Sequence, residues 1–415
     1  MATEKVSHSS KVCLVLVGLP ARGKSTLALR LRDGLEAEGV DTRIFNNGVL
    51  RRVHYGEASS EPWFYDPYNE EGNKARDELA KMNMQAARQY LEEGGGNVAI
   101  LDATNASRAR RTMIEESLRG VAVLYIECVN EDKDLVAASI QRKVRLPEFA
   151  NMSRAEATSR FEQRIGYYAS IYTPLDQEAN FARLDTLNNR ILQEHLTSWV
   201  PFYVRIRDIM VSDWVNNLYL VRHGESYYNL ENRIGGDSHL TEKGLAQAQA
   251  LADYFRDKPV PYIFTSEKTR STQYATALIA DHPDSVLMAL PELDEIDAGI
   301  CEGLTYEEIN KRYPEEFAAR ARDKYNYVYP EGEGYVTMHE RVNRGFRKAL
   351  FLSGAAPGTL IIGHQAVNRV ILSLFLYRRM ADVPYIYVPQ NKYYHIVATH
   401  HKKLFEMVSF MGLAT

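Results

Sequence analysis

Residues 12–26 read Val-Cys-Leu-Val-Leu-Val-Gly-Leu-Pro-Ala-Arg-Gly-Lys-Ser-Thr. The apolar run Val12–Val17 is rich in branched side chains and too short for a buried helix, so it reads as a strand covered on both faces, as in a parallel sheet. Gly18-Leu19-Pro20-Ala21-Arg22-Gly23-Lys24-Ser25 then matches G-x(4)-G-K-[ST], and a helical stretch follows from Ser25 to Glu38. Glycines at these positions let the backbone wrap an anion, with its N–H groups and the helix N-terminus facing the negative charge. Strand, loop and helix in this order predict a nucleotide site in which Lys24 reaches the terminal phosphates and Ser25 holds magnesium.

Working outward, Arg43–Phe45, Val98–Leu101 and Val121–Ile126 repeat the short apolar signature, with helical stretches at Asn73–Glu92 and Arg108–Leu118. The alternation predicts a doubly wound α/β sheet of the P-loop type. Asn97-Val-Ala-Ile-Leu-Asp102 ends in a carboxylate at the carboxyl edge of that sheet, where ligands bind; Asp102 is a candidate for holding magnesium or the attacking hydroxyl. The plainer reading of Asp102 alone is a helix cap for the arginine-rich segment behind it.

The pattern changes character once, near residue 215. Strand signals resume at Leu218–Val221, Tyr262–Thr265, Thr359–Ile362 and His395–Ala398, separated by helical stretches at Glu242–Phe255, Thr269–Ala280, Met338–Phe351 and Ala366–Tyr377. Two α/β domains are expected, 1–215 and 216–415, since one core rarely grows beyond roughly 250 to 300 residues and the chain has 415.

Lys and Arg number 50 against 54 Asp and Glu, giving a formal charge of −4. That balance argues against nonspecific binding to nucleic acid or anionic membranes. Cys13, Cys128 and Cys301 are widely spaced, which indicates neither a disulfide framework nor a zinc site. The start, MATEKVSHSSK, lacks the apolar stretch of a signal peptide, and no run approaches the roughly 18 apolar residues of a membrane span, so a soluble cytoplasmic protein is expected.

Two basic clusters lie near the phosphate loop: Arg51-Arg52 after Phe45-Asn-Asn-Gly48, and Arg108, Arg110 and Arg111 after Asp102-Ala-Thr104-Asn105. Arginine forks suit a phosphorylated acceptor, although without the loop they would read as solvated helix faces. GLPARGKS, FNNGVLRR, DATNASRARR and Arg164-Ile-Gly-Tyr-Tyr168 resemble, in order and spacing, the kinase half of the 6-phosphofructo-2-kinase/fructose-2,6-bisphosphatase family over residues 11 to 215. The resemblance implies ATP on the loop from Gly18 to Thr26, with Arg145 also at the nucleotide. It places fructose 6-phosphate on Arg52, Thr104, Arg110, Arg164 and Tyr168, with Asp102 beside the reacting centre. Three positions depart from animal members: Asp66 stands where an Arg precedes the Pro, Asn130 where a Cys stands, and Arg145 where a Lys aligns. Loss of the cation at Asp66 is expected to weaken sugar-phosphate affinity, and Arg for Lys replaces a point charge by a planar fork.

In the second half, Leu220-Val-Arg222-His223-Gly224-Glu225 ends a strand, with Asn229 and Arg233-Ile-Gly235-Gly236 soon after. Thr265-Ser266-x-x-x-Arg270 and Gly363-His364-Gln365 follow two further strands. A neutral imidazole attacks phosphorus well, and Arg222, Arg270 and His364 can hold the equatorial oxygens in flight. Neighbouring cations would keep His223 unprotonated near neutrality. Glu295, in Glu292-Leu-Asp-Glu295, is the candidate acid for the departing oxygen, on the expectation that a crowded carboxyl keeps its proton.

This set resembles the histidine phosphatase superfamily, whose phosphoglycerate mutases share RHGE. RIGGDSHLT, EIDAGICEGLTYEEI, YPEEFAARARDKYNYVYPEGEGY and GHQAVNR are similar, over residues 217 to 390, to the bisphosphatase half of the same bifunctional family. By that resemblance the substrate's 6-phosphate lies among Tyr306, Arg320, Lys324, Tyr335, Gln365 and Arg369, with Asn229 and Gly235 on the sugar. Tyr325, Tyr327 and Tyr329 read as packing.

The resulting expectation is an N-terminal kinase that uses MgATP, with Ser25 and Asp102 as metal ligands, to phosphorylate fructose 6-phosphate at the 2-position. A C-terminal phosphatase, with no cofactor of its own, hydrolyses fructose 2,6-bisphosphate through a phosphohistidine. Family resemblance adds a homodimer; no nucleic acid or membrane partner is expected. The alternatives at this stage are a bisphosphatase whose kinase half only senses nucleotide, and a nucleic-acid end-processing kinase and phosphatase.

Overall fold

The strand β1 (Val12–Val17) is buried along its whole length, and the alternation of its side chains accounts for this. Val12, Leu14 and Leu16 pack into one apolar cluster and Cys13, Val15 and Val17 into another, so both faces of the sheet are covered. The structure of the protein, a computed structural model, describes residues 11–56, 59, 61–376 and 378–411. The chain divides into units Met1–Asp213 and Trp214–Thr415.

In the first unit β2 (Thr42–Asn46), β3 (Val98–Asp102), β4 (Ala122–Val129), β5 (Asn180–Asp185) and β6 (Arg190–Leu196) join β1 in the order β2-β3-β1-β4-β5-β6. All neighbours run parallel except β5 and β6, which pair antiparallel as a hairpin. The register sets Asn46 opposite Asp102, so the ends of β2 and β3 deliver two polar side chains to one edge. The phosphate loop emerges from β1 at that same edge.

In the second unit β7 (Val215–Arg222), β8 (Tyr262–Thr265), β9 (Val286–Ala289), β10 (Thr359–Gly363), β11 (Lys392–Ala398) and β12 (Lys403–Ser409) form a sheet of order β12-β11-β7-β10-β8-β9. β7, β10, β8 and β9 are parallel, whereas β11 runs antiparallel to both β7 and β12. The carboxyl ends of β7, β8 and β10 therefore lie side by side, and each is followed at once by a polar residue: His223, Ser266 and His364.

Four strands carry no clear signal in the sequence. β6, β9 and β12 are edge strands with mostly exposed or half-buried side chains, so charge and polarity dilute their alternation. β5 is largely buried, but it is joined to β6 through Asn188-Asn189, with Asn189 in a left-handed turn at φ 49°. β11 begins at Lys392, three residues before the expected His395, and so includes Tyr393 and Tyr394. Helix boundaries also shift. The second long helix starts at Glu70, where the Asn69 side chain caps it, and the helix expected to reach Tyr377 runs Gln365–Ser373, with Tyr377 outside the described residues.

Candidate active sites

In the first unit the phosphate loop turns through Gly18 at φ +138°, and a Cβ there would meet the Cys128 carbonyl oxygen at 2.5 Å, which only glycine avoids. The loop is stitched to the turn after β3: Gly18 N–H donates to the Thr104 carbonyl at 3.1 Å, and Asn105 Nδ2 donates to the Leu16 carbonyl at 2.8 Å. Lys24 is buried and its ammonium donates to the Gly18 and Leu19 carbonyls, both at 2.7 Å. Burial pushes its pKa down to about 8. Asp102 is 4% exposed and accepts a hydrogen bond from the Asn46 side chain.

Two adjoining cavities open here. One, of about 290 Å³, is lined by Pro20 to Thr26, Asn46, Arg52, Asp102, Thr104, Arg142, Lys143 and Arg164. The other, of about 300 Å³, is lined by Asn73, Arg76, Thr104, Arg110, Arg164 and Tyr168 among others. Gly48, Arg51, Ala103, Thr104 and Arg164 border both, so the two cavities adjoin next to Asp102, which lines the loop-side one. The guanidinium of Arg164 lies over the Tyr65 ring at 4.2 Å, and Arg110 is paired with Asp77. Ser25 and Asp102 offer hard oxygen donors in one cavity, which suits magnesium. Among the described residues no cluster of three or more acidic, His or Cys side chains can hold a metal, so nucleotide and water would supply most ligands.

Several placements differ from the sequence reading. Arg145 is exposed and lines neither cavity; Lys143, two residues earlier at the end of the helix Lys133–Lys143, lines the nucleotide side. Burial lowers the Lys143 pKa to about 8. Arg52 borders only the loop-side cavity, 3.7 Å from Glu148, whereas the buried Arg51 borders both and pairs with Glu148. Asp66 caps a turn through the Tyr68 N–H, and Arg76, bonded to the Phe64 carbonyl and Asn73, brings a guanidinium into the second cavity. Asn130 likewise caps a turn, accepting from Asp132 N–H at 3.0 Å.

In the second unit one cavity of about 430 Å³ is lined by Arg222, His223, Arg270 and Glu295, among others. Asn229, Gly235, Tyr306, Arg320, Lys324, Tyr335, Gln365 and Arg369 line the rest of it. His223 is 2% exposed; its Nδ1 lies 2.7 Å from the Gly224 carbonyl, and its Nε2 accepts from Arg270 Nε at 3.2 Å. Burial, then Arg270 and Arg222, holds the His223 pKa well below the ordinary value. Gly224 is required sterically: a Cβ would meet the Gly244 carbonyl oxygen at 2.6 Å. His364 is fully buried with its ring 5.0 Å from that of His223.

Glu295 accepts N–H bonds from Gln365 at 3.0 Å and Ala366 at 3.2 Å, at the start of the helix Gln365–Ser373. Arg222 and Arg270 also stand near it, so cations and backbone donors surround the carboxyl. At the far end of the cavity Arg369 binds Tyr335 Oη at 3.0 Å and Arg320 binds Tyr306 Oη at 2.9 Å. Burial lowers the Lys324 pKa to about 8. Tyr228, Tyr327 and Tyr329 also line the cavity, so two of the three tyrosines read as packing face the site. Gln390 was without signal in the sequence; it donates to Asn229 Oδ1 at 3.0 Å and to the His223 carbonyl at 3.2 Å.

Cys13, Cys128 and Cys301 are free and buried, and among the described residues no helix is long and apolar enough to cross a membrane. Residues 1–206 match the family model for 6-phosphofructo-2-kinase and residues 218–410 that for the histidine phosphatase superfamily, branch 1. The 6-phosphofructo-2-kinase/fructose-2,6-bisphosphatase 3 of Homo sapiens is 36% identical over 399 residues, covering 93% of this chain and 74% of that protein. Its Rattus norvegicus counterpart is 35% identical, with 93% and 69% covered. The 6-phosphofructo-2-kinase/fructose-2,6-bisphosphatase of Caenorhabditis elegans is 35% identical over 398 residues, with 91% and 84% covered.

Proposed function

The chain belongs to the 6-phosphofructo-2-kinase/fructose-2,6-bisphosphatase family, and from that premise we propose how its residues divide the two opposed reactions of a bifunctional enzyme. The kinase, assigned to residues 1–215, transfers the γ-phosphoryl of ATP to the 2-hydroxyl of fructose 6-phosphate. ATP lies along the loop Gly18–Thr26. Lys24 leaves the loop carbonyls to neutralise charge on the β- and γ-phosphates; Ser25 and Asp102 would hold magnesium, which would supply further neutralisation of the phosphates. The acceptor enters the second cavity with its phosphate toward Arg76, Arg110 and Tyr168, and Arg164 and Thr104 bridge it toward Asp102. A second cavity that shares Thr104 and Arg164 with the loop-side cavity of Asp102 is what a phosphoryl acceptor needs and what a nucleotide sensor does not, so the sensing alternative is not favoured. A nucleic-acid substrate is disfavoured by the net charge of −4.

The phosphatase, assigned to residues 216–415, begins with in-line attack by His223 Nε2 on the 2-phosphate. The nucleophile is ready because its lone pair faces Arg270 and its other nitrogen is engaged by the Gly224 carbonyl; this is the observation that carries the reading. Arg222 and Arg270 stabilise the equatorial oxygens. Glu295 gives a proton to the sugar oxygen as the P–O bond breaks, then takes one from the water that releases phosphate. Tyr335, Arg320, Lys324 and Arg369 hold the 6-phosphate. No cofactor is needed for these steps.

We place the enzyme in the cytoplasm as a homodimer. Sedimentation velocity tests the dimer. The phosphatase reading is tested by mixing the protein with substrate labelled in the 2-phosphate and quenching. Acid-labile, base-stable label is expected on wild type and none on His223→Ala; unlabelled wild type would contradict the reading.

A further inference from the structure

Ser266 follows β8 directly and is fully buried, with its Oγ 2.7 Å from His364 Nε2. The same oxygen accepts the Lys268 N–H at 3.2 Å, and Nε2 is the partner that can take the hydroxyl's single proton. His364 is itself fully buried among Arg270, His223 and Arg222, and burial first, then those groups, keeps its imidazolium disfavoured. A neutral ring carries one N–H. If Nε2 accepts from Ser266, the proton sits on Nδ1.

Nδ1 of His364 is buried and has no hydrogen-bond partner among the described residues. A buried donor left unmade is costly, and such groups persist where an arriving ligand satisfies them. The opposite tautomer would present a bare lone pair on Nδ1, which repels phosphoryl oxygens. From this geometry we infer that Ser266 is a positioning residue for phosphate removal: its hydroxyl fixes His364 as the Nδ1–H tautomer, so that a neutral donor meets the phosphoryl group passing between the sugar oxygen and His223 Nε2. The inference rests on the phosphohistidine reading above and adds to it the group that sets the proton on the second histidine.

The test combines kinetics and ring-nitrogen NMR on the full-length chain. In wild type labelled with ¹⁵N-histidine, the His364 ring is expected to carry its proton on Nδ1, and in Ser266→Ala to lose that single state. Bisphosphatase kcat is expected to fall by about tenfold or more in Ser266→Ala, with KM changing far less, because a transition-state donor is misplaced rather than a binding group removed. Ser266→Thr, which keeps the hydroxyl, is expected to recover most of the rate. Kinase activity of each preparation reports that the chain is intact. An Nε2-protonated His364 in wild type, a Ser266→Ala kcat within twofold of wild type, or a Thr variant as slow as the Ala variant would overturn the inference. If wild type takes label on His223 while any of these holds, only this inference fails; if wild type takes no label, the phosphatase reading itself fails.

Discussion

Arg270 Nε donates to His223 Nε2 at 3.2 Å, so the guanidinium and the imidazole share the lone pair that must attack phosphorus. The pairing fixes the His223 tautomer and, with burial and Arg222, holds the ring unprotonated. Substrate has to displace this contact, after which the same guanidinium is free for the phosphoryl oxygens.

Removal of Arg270 therefore has two effects. Bisphosphatase kcat falls by about 100-fold or more in Arg270→Ala, the usual cost of losing one transition-state donor. The His223 pKa rises when a cation leaves its side, so the acid limb of the kcat/KM profile moves to higher pH. A pH–rate profile of the variant checks the sign; an acid limb displaced to lower pH, or unmoved, contradicts the assignment.

In the kinase unit, Lys24 and Lys143 both sit near a pKa of about 8 in the protein described here. Nucleotide phosphates raise the pKa of an ammonium they contact. A group whose pKa rises on binding takes up protons in the window between the free and bound values, so ATP binding at pH 8 should be accompanied by proton uptake. Well below pH 7 both lysines are already charged and the uptake disappears. Calorimetry in buffers of different ionisation enthalpy measures it directly, and the Lys24→Met variant should lose part of the uptake at pH 8.

Lys143 and Arg145 separate a cavity position from a surface one. Lys143→Ala is expected to lower kinase kcat/KM at least tenfold, roughly the 1.4 kcal/mol or more of a lost phosphate contact. Arg145→Ala should stay within about twofold. Steady-state assays of the two variants side by side decide between the positions.

The buried pair Arg111–Glu178 supports the acceptor cavity from behind. Arg111 Nε meets Glu178 Oε1 at 2.6 Å, and its Nη1 donates to the carbonyls of Asn105 at 3.2 Å and Ala106 at 3.1 Å, the turn that carries Thr104. Glu178→Ala leaves a buried guanidinium without its carboxylate, which costs about 3–5 kcal/mol. Denaturant unfolding should show that loss in the kinase transition, and a change under about 1 kcal/mol would contradict it.

The parts of this architecture that were legible in the sequence are those where local pattern and tertiary burial agree. β1 reads as a strand because all six of its side chains are buried, and the phosphate loop reads because backbone geometry demands glycine at Gly18. β6 and β12 do not read, because neither buries a residue on either face and so nothing imposes period two on them. Lys143 was missed because Arg142, Lys143 and Arg145 look alike along the chain, and only the fold brings Arg142 and Lys143, but not Arg145, to the cavity. The Ser266–His364 hydrogen bond spans 98 positions and depends on β8 and β10 being neighbours, a relationship that spacing alone cannot disclose.

The central claim is that one chain both makes and removes the 2-phosphate of the same sugar at two separate sites. The most direct measurement is the time course of fructose 2,6-bisphosphate with MgATP and fructose 6-phosphate, for wild type and His223→Ala at equal concentration. The account predicts that the variant accumulates bisphosphate at an undiminished forward rate to a level well above wild type, while added bisphosphate persists with the variant and decays with wild type. A variant that makes no bisphosphate, or that removes it as fast as wild type, would contradict the claim.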